Sequence, residues 1–429
     1  MSTTESSAMT SEIFIGWVHC HLTATAPDFD FKHISQRGLD EALFTLKEAE
    51  QVSLHGVLPS WLVQGLKEVL GADPVEVPAR RETLVDPLSY ELSPPSAVHC
   101  HGALLDGFVS RKDQALSVWR IDGGHSRHYT RNFTKLSTMA GGWLPEMSNP
   151  SAWIFKSYLD AAEPKRLAGQ TFISVVEGSV VYTHWLLDTL PRILLAMEDG
   201  MRLEDYDHFL FATTTHKFHR DVLRDLGIPQ SKVVTREKEG LYFETEAFTY
   251  VSPPRDRFVT SPHIYDLVRD FFGCDGRPLQ PSRRIFVSRS KAKRRRILNE
   301  AEVMAFLAPH GFEAVCFEDL SIRETAQLLA QSSHIVSPHG AGLANLIFAQ
   351  PGTRVMELFN AHLSQEYWVI CNQGGLPYFP FEANGPDKLP IDAATRLATP
   401  FFERNGLDIH VPMDAFKRFF TAKFMKENP

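Results

Sequence analysis

The sequence predicts an α/β protein built from two Rossmann-like halves. Three observations predict it. From Thr171 onward, short apolar runs alternate with helix-periodic segments. The turn-rich stretch GCDGRPLQPS, Gly273 to Ser282, divides that alternation into two series. A strand, a glycine turn and a helix follow one another around SPHGAGLANLIF, Ser337 to Phe348. Strands separated by helices imply βαβ units and a parallel sheet, in which ligands bind beyond the carboxyl ends of the strands.

Residues 1–165 form a mixed α/β portion with many prolines and isolated apolar stretches such as Ile13 to Val18 and Ala115 to Ile121, and no motif can be placed there. The first regular half, residues 166–273, reads as strands at Phe172 to Val176 and Val180 to Tyr182, a helix from His184 with Thr183 as its N-cap, and a strand at Phe209 to Ala212. A helix over His216 to Leu226, strands near Val233 and Tyr242 to Val251, and a helix over Ile264 to Phe272 complete it. Residues 274–282 read as a linker. The second half, residues 283–400, alternates strand Arg284 to Val287, helix Glu300 to Leu307, strand Phe312 to Phe317, helix Ser321 to Gln331, strand His334 to Val336, the glycine turn with its helix, and strand Arg354 to Leu358. Residues 401–429 are expected to pack back on the fold as a helix.

With 429 residues, 43% of them hydrophobic, the chain has enough apolar material for a large core, and its length points to two or three domains. A net charge of -8 argues against a general nucleic-acid binder, and the basic run Lys291 to Arg296 has no interleaved aromatics. The five cysteines are scattered without C-x-x-C spacing, which favours neither a disulfide framework nor a zinc site and fits a reducing compartment. The first residues, MSTTESSAMTSE, lack the basic flank and apolar core of a secretion signal, and no apolar run has transmembrane length. These features predict a cytoplasmic protein, with peripheral membrane contact left open.

Three pieces of chemistry fall at strand ends of the second half. Gly340, Ala341 and Gly342 follow His339 in the turn, and glycines there either reach backbone angles closed to other residues or let an anion approach peptide N–H groups. Arg289 stands just past an apolar strand, where a planar guanidinium suits phosphate oxygens, while Lys291 to Arg295 read as a solvated loop. Glu357 ends an apolar strand, where a carboxylate accepts from ribose hydroxyls or sits in a salt bridge. In the first half, THWLLDTLPR places His184 and Asp188 one helical turn apart as a candidate proton-transfer pair; Pro191 makes it less secure to extend that face to Arg192. Past the Glu357 strand, His362, Glu366, Tyr367 and Trp368 read either as a pocket lining or as an amphipathic helix burying Trp368.

THWLLDTLPR, then FVSRSKAKRRRILNE, then SPHGAGLANLIFAQPGTRVMEL, in that order and separation, resemble glycosyltransferase family 61, over Phe172 to about Tyr378. The resemblance implies the two-lobed GT-B fold and an inverting, metal-independent transfer of a sugar from a nucleotide-sugar donor to a hydroxyl of a glycan or other acceptor, as in polysaccharide assembly. It implies no cofactor beyond the donor. It places Arg289 and the loop His339, Gly340, Ala341, Gly342 and Asn345 on the diphosphate and Glu357 on the ribose, with either His184 or Asp188 as base; Arg192, Arg296 and Asn299 are lesser candidates. Two D-x-D strings, Asp28-Phe29-Asp30 and Asp205-Tyr206-Asp207, lie off the strand ends a metal site would use and read as incidental. Two alternatives stay open: a dehydrogenase reading GAGLAN as G-x-G-x-x-G with Asn345 for the last glycine, and a catalytically inactive nucleotide-sugar-binding scaffold.

Overall fold

The computed structural model describes residues 165–174, 177–235, 243–251, 255–256, 258–274, 280–391, 399 and 401–426, and the strand segments 43–45, 51–59, 75–77, 82–91 and 96–101. Asp28 to Asp30 and most of the N-terminal portion lie outside these residues.

The strands are β1 (Leu43–Thr45), β2 (Gln51–Pro59), β3 (Val75–Val77), β4 (Glu82–Glu91), β5 (Ser96–His101), β6 (Lys165–Ser174), β7 (His208–Phe211), β8 (Val233–Thr235), β9 (Phe243–Val251), β10 (Arg255–Asp256), β11 (Val259–Thr260), β12 (Arg283–Val287), β13 (Phe312–Val315), β14 (Ser332–Pro338), β15 (Arg354–Phe359) and β16 (Tyr378–Glu382). The helices are α1 (Tyr182–His184), α2 (Leu190–Glu198), α3 (Lys217–Asp225), α4 (Pro262–Phe271), α5 (Glu300–Leu307), α6 (Ile322–Ala330), α7 (Glu366–Gln373), α8 (Phe401–Gly406) and α9 (Met413–Phe419). They divide into two compact units: Met1–Glu50 with Leu92–Asp256, and Gln51–Glu91 with Arg257–Pro429. The expected α/β architecture with parallel sheets is present in both. Helix α4, which the sequence places before the turn-rich stretch, clusters with the second unit.

The first unit carries one sheet in the order β1-β5-β9-β6-β7-β8. Strands β9, β6, β7 and β8 run parallel, while β1, β5 and β9 pair antiparallel. Phe172, Phe209 and Phe211 are fully buried, as continuous apolar runs in a parallel sheet require. One expected strand is absent: Glu177–Val180 forms a 3-10 turn that leads into α1, so Val180 to Tyr182 is helical approach rather than strand. Thr183 does not cap that helix; Val181 occupies the N-cap and Thr183 is buried inside it.

The second unit has a parallel sheet in the order β13-β12-β14-β15-β16, with β2-β4-β3 as a separate antiparallel sheet. Counting from β12, the parallel order is 2-1-3-4-5, a doubly wound arrangement whose switch point lies between β12 and β14. Right-handed crossovers then put α5 on one face and α6, the 3-10 run Ala341–Phe348 and α7 on the other. Packing agrees: α6 and α7 both contact that run. On the opposite face Val303 and Leu307 of α5 join Phe416 of α9 and Phe420 and Phe424 of the π-helical run that follows it. Helix α6 begins where the sequence spells a capping box, with Glu324 N–H donating to Ser321 Oγ at 3.2 Å and Ser321 N–H donating to Glu324 Oε2 at 2.7 Å. Strand β16 escapes sequence pattern because Pro380 interrupts it; the structure accommodates that proline on an edge strand paired only with β15.

Among the described residues, no helix is long and apolar enough to cross a membrane. Phe420 is fully buried, with ring contacts to Phe306, Phe312, Phe416 and Phe424. Phe420→Ala is expected to cost about 3–5 kcal/mol in denaturant unfolding. A loss below about 1 kcal/mol would show that this cluster does not hold the C-terminal helix in place.

Candidate functional site

At the switch point the chain leaves β12 through Ser288 and Arg289 and leaves β14 through His339 and Gly340, so the crevice between diverging connections collects these four residues. The half-buried Arg289 curls over its own loop, donating from Nε and Nη2 to the Arg294 carbonyl at 3.3 and 3.0 Å. Its Nη1 lies only 2.6 Å from where a Cβ on Gly340 would stand. Gly340 has an extended backbone, φ 170, which any residue adopts. Its missing Cβ thus gives the Arg289 guanidinium tip room to lie against the backbone; a larger side chain would displace that tip. Gly342 is similar, its missing Cβ falling 3.0 Å from Phe317 Cδ2.

Beneath this turn lies a buried triad. His339 Nδ1 and Glu357 Oε1 are 2.5 Å apart, and Tyr378 donates its hydroxyl to Glu357 Oε2 at 2.5 Å. The β14–β15–β16 register produces it, pairing Ser337 with Glu357 and Glu357 with Pro380. Glu357 is 0% exposed. Burial pushes its carboxyl well above the usual range and, aided by Arg295 and Arg289, pulls His339 down to about 3. Both partners favour neutral forms, an arrangement in which the carboxyl donates to Nδ1 and Nε2 becomes the ring's N–H donor. Glu357, expected on a ribose, thus has both oxygens engaged inside the protein. The rings of Phe359, His362 and Tyr367 surround His339 at 5.4, 5.0 and 5.2 Å. Trp368 is buried in α7, so His362 and Tyr367 border the site while Trp368 packs into the interior.

The remaining candidates separate. Ala341 begins the 3-10 run, which replaces the expected α-helix, and Asn345 within it donates from Nδ2 to Gly342 O at 2.9 Å, bracing the turn. Arg296 forks onto Asp408 at 3.1 and 2.6 Å. Asn299 donates to Val411 O at 2.8 Å and accepts from its N–H at 2.9 Å, so both residues staple the loop to the C-terminal segment. Two participants escaped the sequence reading: Tyr378, hidden in the proline-interrupted strand, and Arg295, lost in a basic run that looks solvated.

In the first unit, His184 Nδ1 and Asp188 Oδ2 are 2.6 Å apart, with side chains 32% and 4% exposed. A buried carboxylate against a half-exposed imidazole fixes the ring's orientation through Nδ1, the pairing by which a carboxylate sets the tautomer of a general base. Trp185–Thr189 winds as a π turn, Leu190 N–H donating to Trp185 O. Pro191, which lacks an N–H, follows at once, and such turns recur at functional sites. His219, another residue the sequence did not single out, accepts from His216 N–H at 3.2 Å through Nδ1 and so donates through Nε2 to Ser179 O at 2.9 Å. That bond ties down the turn entering α1. Arg192 is fully buried in α2.

Asp205 pairs with Arg202, and Asp207 Oδ2 accepts from Gln170 N–H at 2.8 Å, so both carboxylates of this D-x-D string have local structural partners. The GAGLAN turn opens a 3-10 run after the third strand of its sheet rather than the first βα unit, which disfavours the dinucleotide fingerprint.

Residues 182–356 match the family model Glycosyltransferase 61, and the resemblance carried by the three sequence motifs is borne out over that segment. A stretch of 84 residues, 19% of this chain, is 34% identical to dog (Canis lupus familiaris) protein O-linked-mannose beta-1,4-N-acetylglucosaminyltransferase 2. The chain spans 14% of the length of that relative.

Two expectations follow from the buried triad. An amide at position 357 can still donate to His339 and accept from Tyr378, so Glu357→Gln should leave ligand affinity within a few-fold, whereas Glu357→Ala strands both partners at about 1–3 kcal/mol each in unfolding measurements. A large affinity loss in Glu357→Gln would mean that the carboxylate itself touches ligand. His339 and His362, held near 3 and 2 by burial, contribute stability that is fully present above the unfolded histidine value of about 6.5 and lost as pH falls. Melting temperature should drop between pH 7 and 5, less steeply in His362→Gln; an unchanged slope would contradict buried neutral histidines.

Proposed function

We propose that this chain, which carries a glycosyltransferase 61 segment over residues 182–356, is an inverting transferase that moves a sugar from a nucleotide-sugar donor to a hydroxyl of a glycan or other acceptor. The observation that carries the proposal is the Arg289 guanidinium seated against the glycine turn at the switch point of the second unit, inside the matched segment. Nucleoside diphosphates suit such a crevice, where peptide N–H groups and a guanidinium converge.

In this reading the fold is of the GT-B kind, with the second unit holding the donor and the first supplying the base. His184, backed by Asp188, takes the acceptor hydroxyl's proton as its oxygen attacks the anomeric carbon. The bond to the diphosphate oxygen breaks on the opposite face, and a single displacement inverts the configuration. Charge developing on the departing diphosphate is met by Arg289, the Gly340 to Gly342 N–H groups and His339 Nε2–H, the preorganised-dipole principle of an oxyanion hole, without recourse to a metal. Glu357 acts through His339, holding its tautomer, rather than on the ribose. A cytoplasmic role in polysaccharide assembly fits the composition; N-acetylglucosamine, the sugar in the dog relative's name, belongs on the donor panel.

A thermal-shift screen against nucleoside diphosphates and nucleotide sugars, with and without chelator, tests the reading. A ligand bound only by the folded state stabilises by about 2.7 kcal/mol at a hundredfold excess over its Kd. One nucleoside diphosphate should shift the melt irrespective of chelator, and Arg289→Ala should lower kcat on the order of 100-fold or more with the fold intact. His184→Ala should abolish turnover while preserving the nucleotide shift. Wild-type turnover in Arg289→Ala, or a shift that needs metal, would contradict the mechanism.

A further inference from the structure

Arg295 is the one described non-glycine residue, apart from the turn residue Lys388, with a positive φ, at 55°. That conformation costs an arginine about 1–3 kcal/mol and persists only where neighbours impose it. Here they do so from both sides. The Arg294 carbonyl accepts from Arg289, the Arg296 N–H donates to Asp408 Oδ1 at 2.9 Å, and the Arg296 carbonyl accepts from Ile409 N–H at 2.8 Å. The chain is thereby bent so that the Arg295 side chain turns inward instead of following its basic neighbours into solvent.

Inside, its guanidinium meets Arg289. Arg295 Nη2 lies 4.0 Å from the position a Gly340 Cβ would take, the same point that Arg289 Nη1 approaches at 2.6 Å. Arg295 Nη1 donates to Asn405 Oδ1 at 2.7 Å, while its buried Nε has no hydrogen-bond partner among the described residues. Among the described residues, the hydrogen bonds of this guanidinium pair go to a carbonyl and an amide oxygen. Burial, first, and the Arg289 charge pull Arg295 down to about 10, outweighing the opposing pull of Glu357. Two adjacent cations, one strained backbone and one unfilled buried donor are costs that a polyanion between them would repay.

We propose that Arg295 is a second anion-binding arginine which, with Arg289, forms a two-guanidinium clamp for a diphosphate over Gly340. The inference rests on the nucleotide-sugar reading for the identity of the diphosphate but not for the clamp. It assigns to a neighbouring side chain the second positive charge that the leaving group requires. It also gives the 405–411 segment a task, because Asn405, Asp408 and Ile409 hold Arg295 and its strained backbone in place.

Titration calorimetry of the full chain and of Arg295→Gly tests it, since glycine adopts φ 55° freely and removes only the side chain. Three probes are used: nucleoside diphosphates, the matching nucleosides and inorganic pyrophosphate. Arg295→Gly should weaken the diphosphates and pyrophosphate roughly 10- to 100-fold, as expected for lost charge-assisted hydrogen bonds, with nucleoside binding unchanged. Arg295→Met, which keeps the stem without the charge, should reproduce the loss, and Arg295→Lys should recover part of it. Unchanged diphosphate affinity in Arg295→Gly and Arg295→Met overturns the clamp, as does an equal loss for nucleoside and nucleotide, which would place the guanidinium on the base. If the parent binds pyrophosphate but no nucleotide, and the variants weaken it, Arg295 stands and the nucleotide reading falls. If the parent binds neither, both fall.

Discussion

The second unit depends on β12 and β14 lying side by side as parallel strands whose onward connections diverge to opposite faces of the sheet. Sheet order and crossover handedness open a crevice at their carboxyl ends. The pairing of Phe286 with Val336 sets the two ends level, so Arg289 and Gly340 emerge opposite one another. What distinguishes this chain is the chemistry placed there: a glycine whose missing Cβ leaves room for the Arg289 guanidinium, with the Arg295 guanidinium beside it.

The electrostatics below the gap follow from burial. Glu357 stands in a strand with no exposed surface, a setting that disfavours an isolated carboxylate. The register places His339 and Tyr378 on its two oxygens, and the low-dielectric surroundings keep the group of three neutral. A neutral floor withholds a carboxylate charge from beneath the arginines. An ionised Glu357 with free oxygens would have drawn the arginines onto itself. The same logic appears in the first unit, where buried Asp188 serves the ring of His184.

Much of the second unit was legible because parallel strands are continuous apolar runs and their helices carry strong punctuation. Helix Glu300–Leu307 matched its expected bounds, and α6, Ile322–Ala330 with Ser321 as N-cap, falls within its expected span Ser321 to Gln331. Arg289, His339 and Gly340 were legible as strand-end residues, and they meet. Legibility failed where tertiary context overrode local pattern. Val180 to Tyr182 looks like a strand but is recruited into the approach to α1. The glycine-led segment is helix-periodic, yet winds as 3-10. Tyr378 sits in a strand that a proline disguises, and only pairing with β15 reveals it. Arg295 is one letter in a basic run, and nothing local says that Asp408 and Ile409, far along the chain, bend it inward. A strand-end position for Glu357 does not report that its two oxygens meet His339 and Tyr378.

The central claim is that the switch-point crevice seats a diphosphate between arginines and the glycine turn. A crystal structure with a nucleoside diphosphate soaked or co-crystallised tests it most directly. The account predicts phosphate density within hydrogen-bonding distance of Arg289, Arg295 and the Gly340 to Gly342 N–H groups, with Glu357 still bonded to His339 and Tyr378. A diphosphate bound elsewhere in the chain, or a nucleotide that draws Glu357 off its partners and leaves the arginines empty, would contradict it.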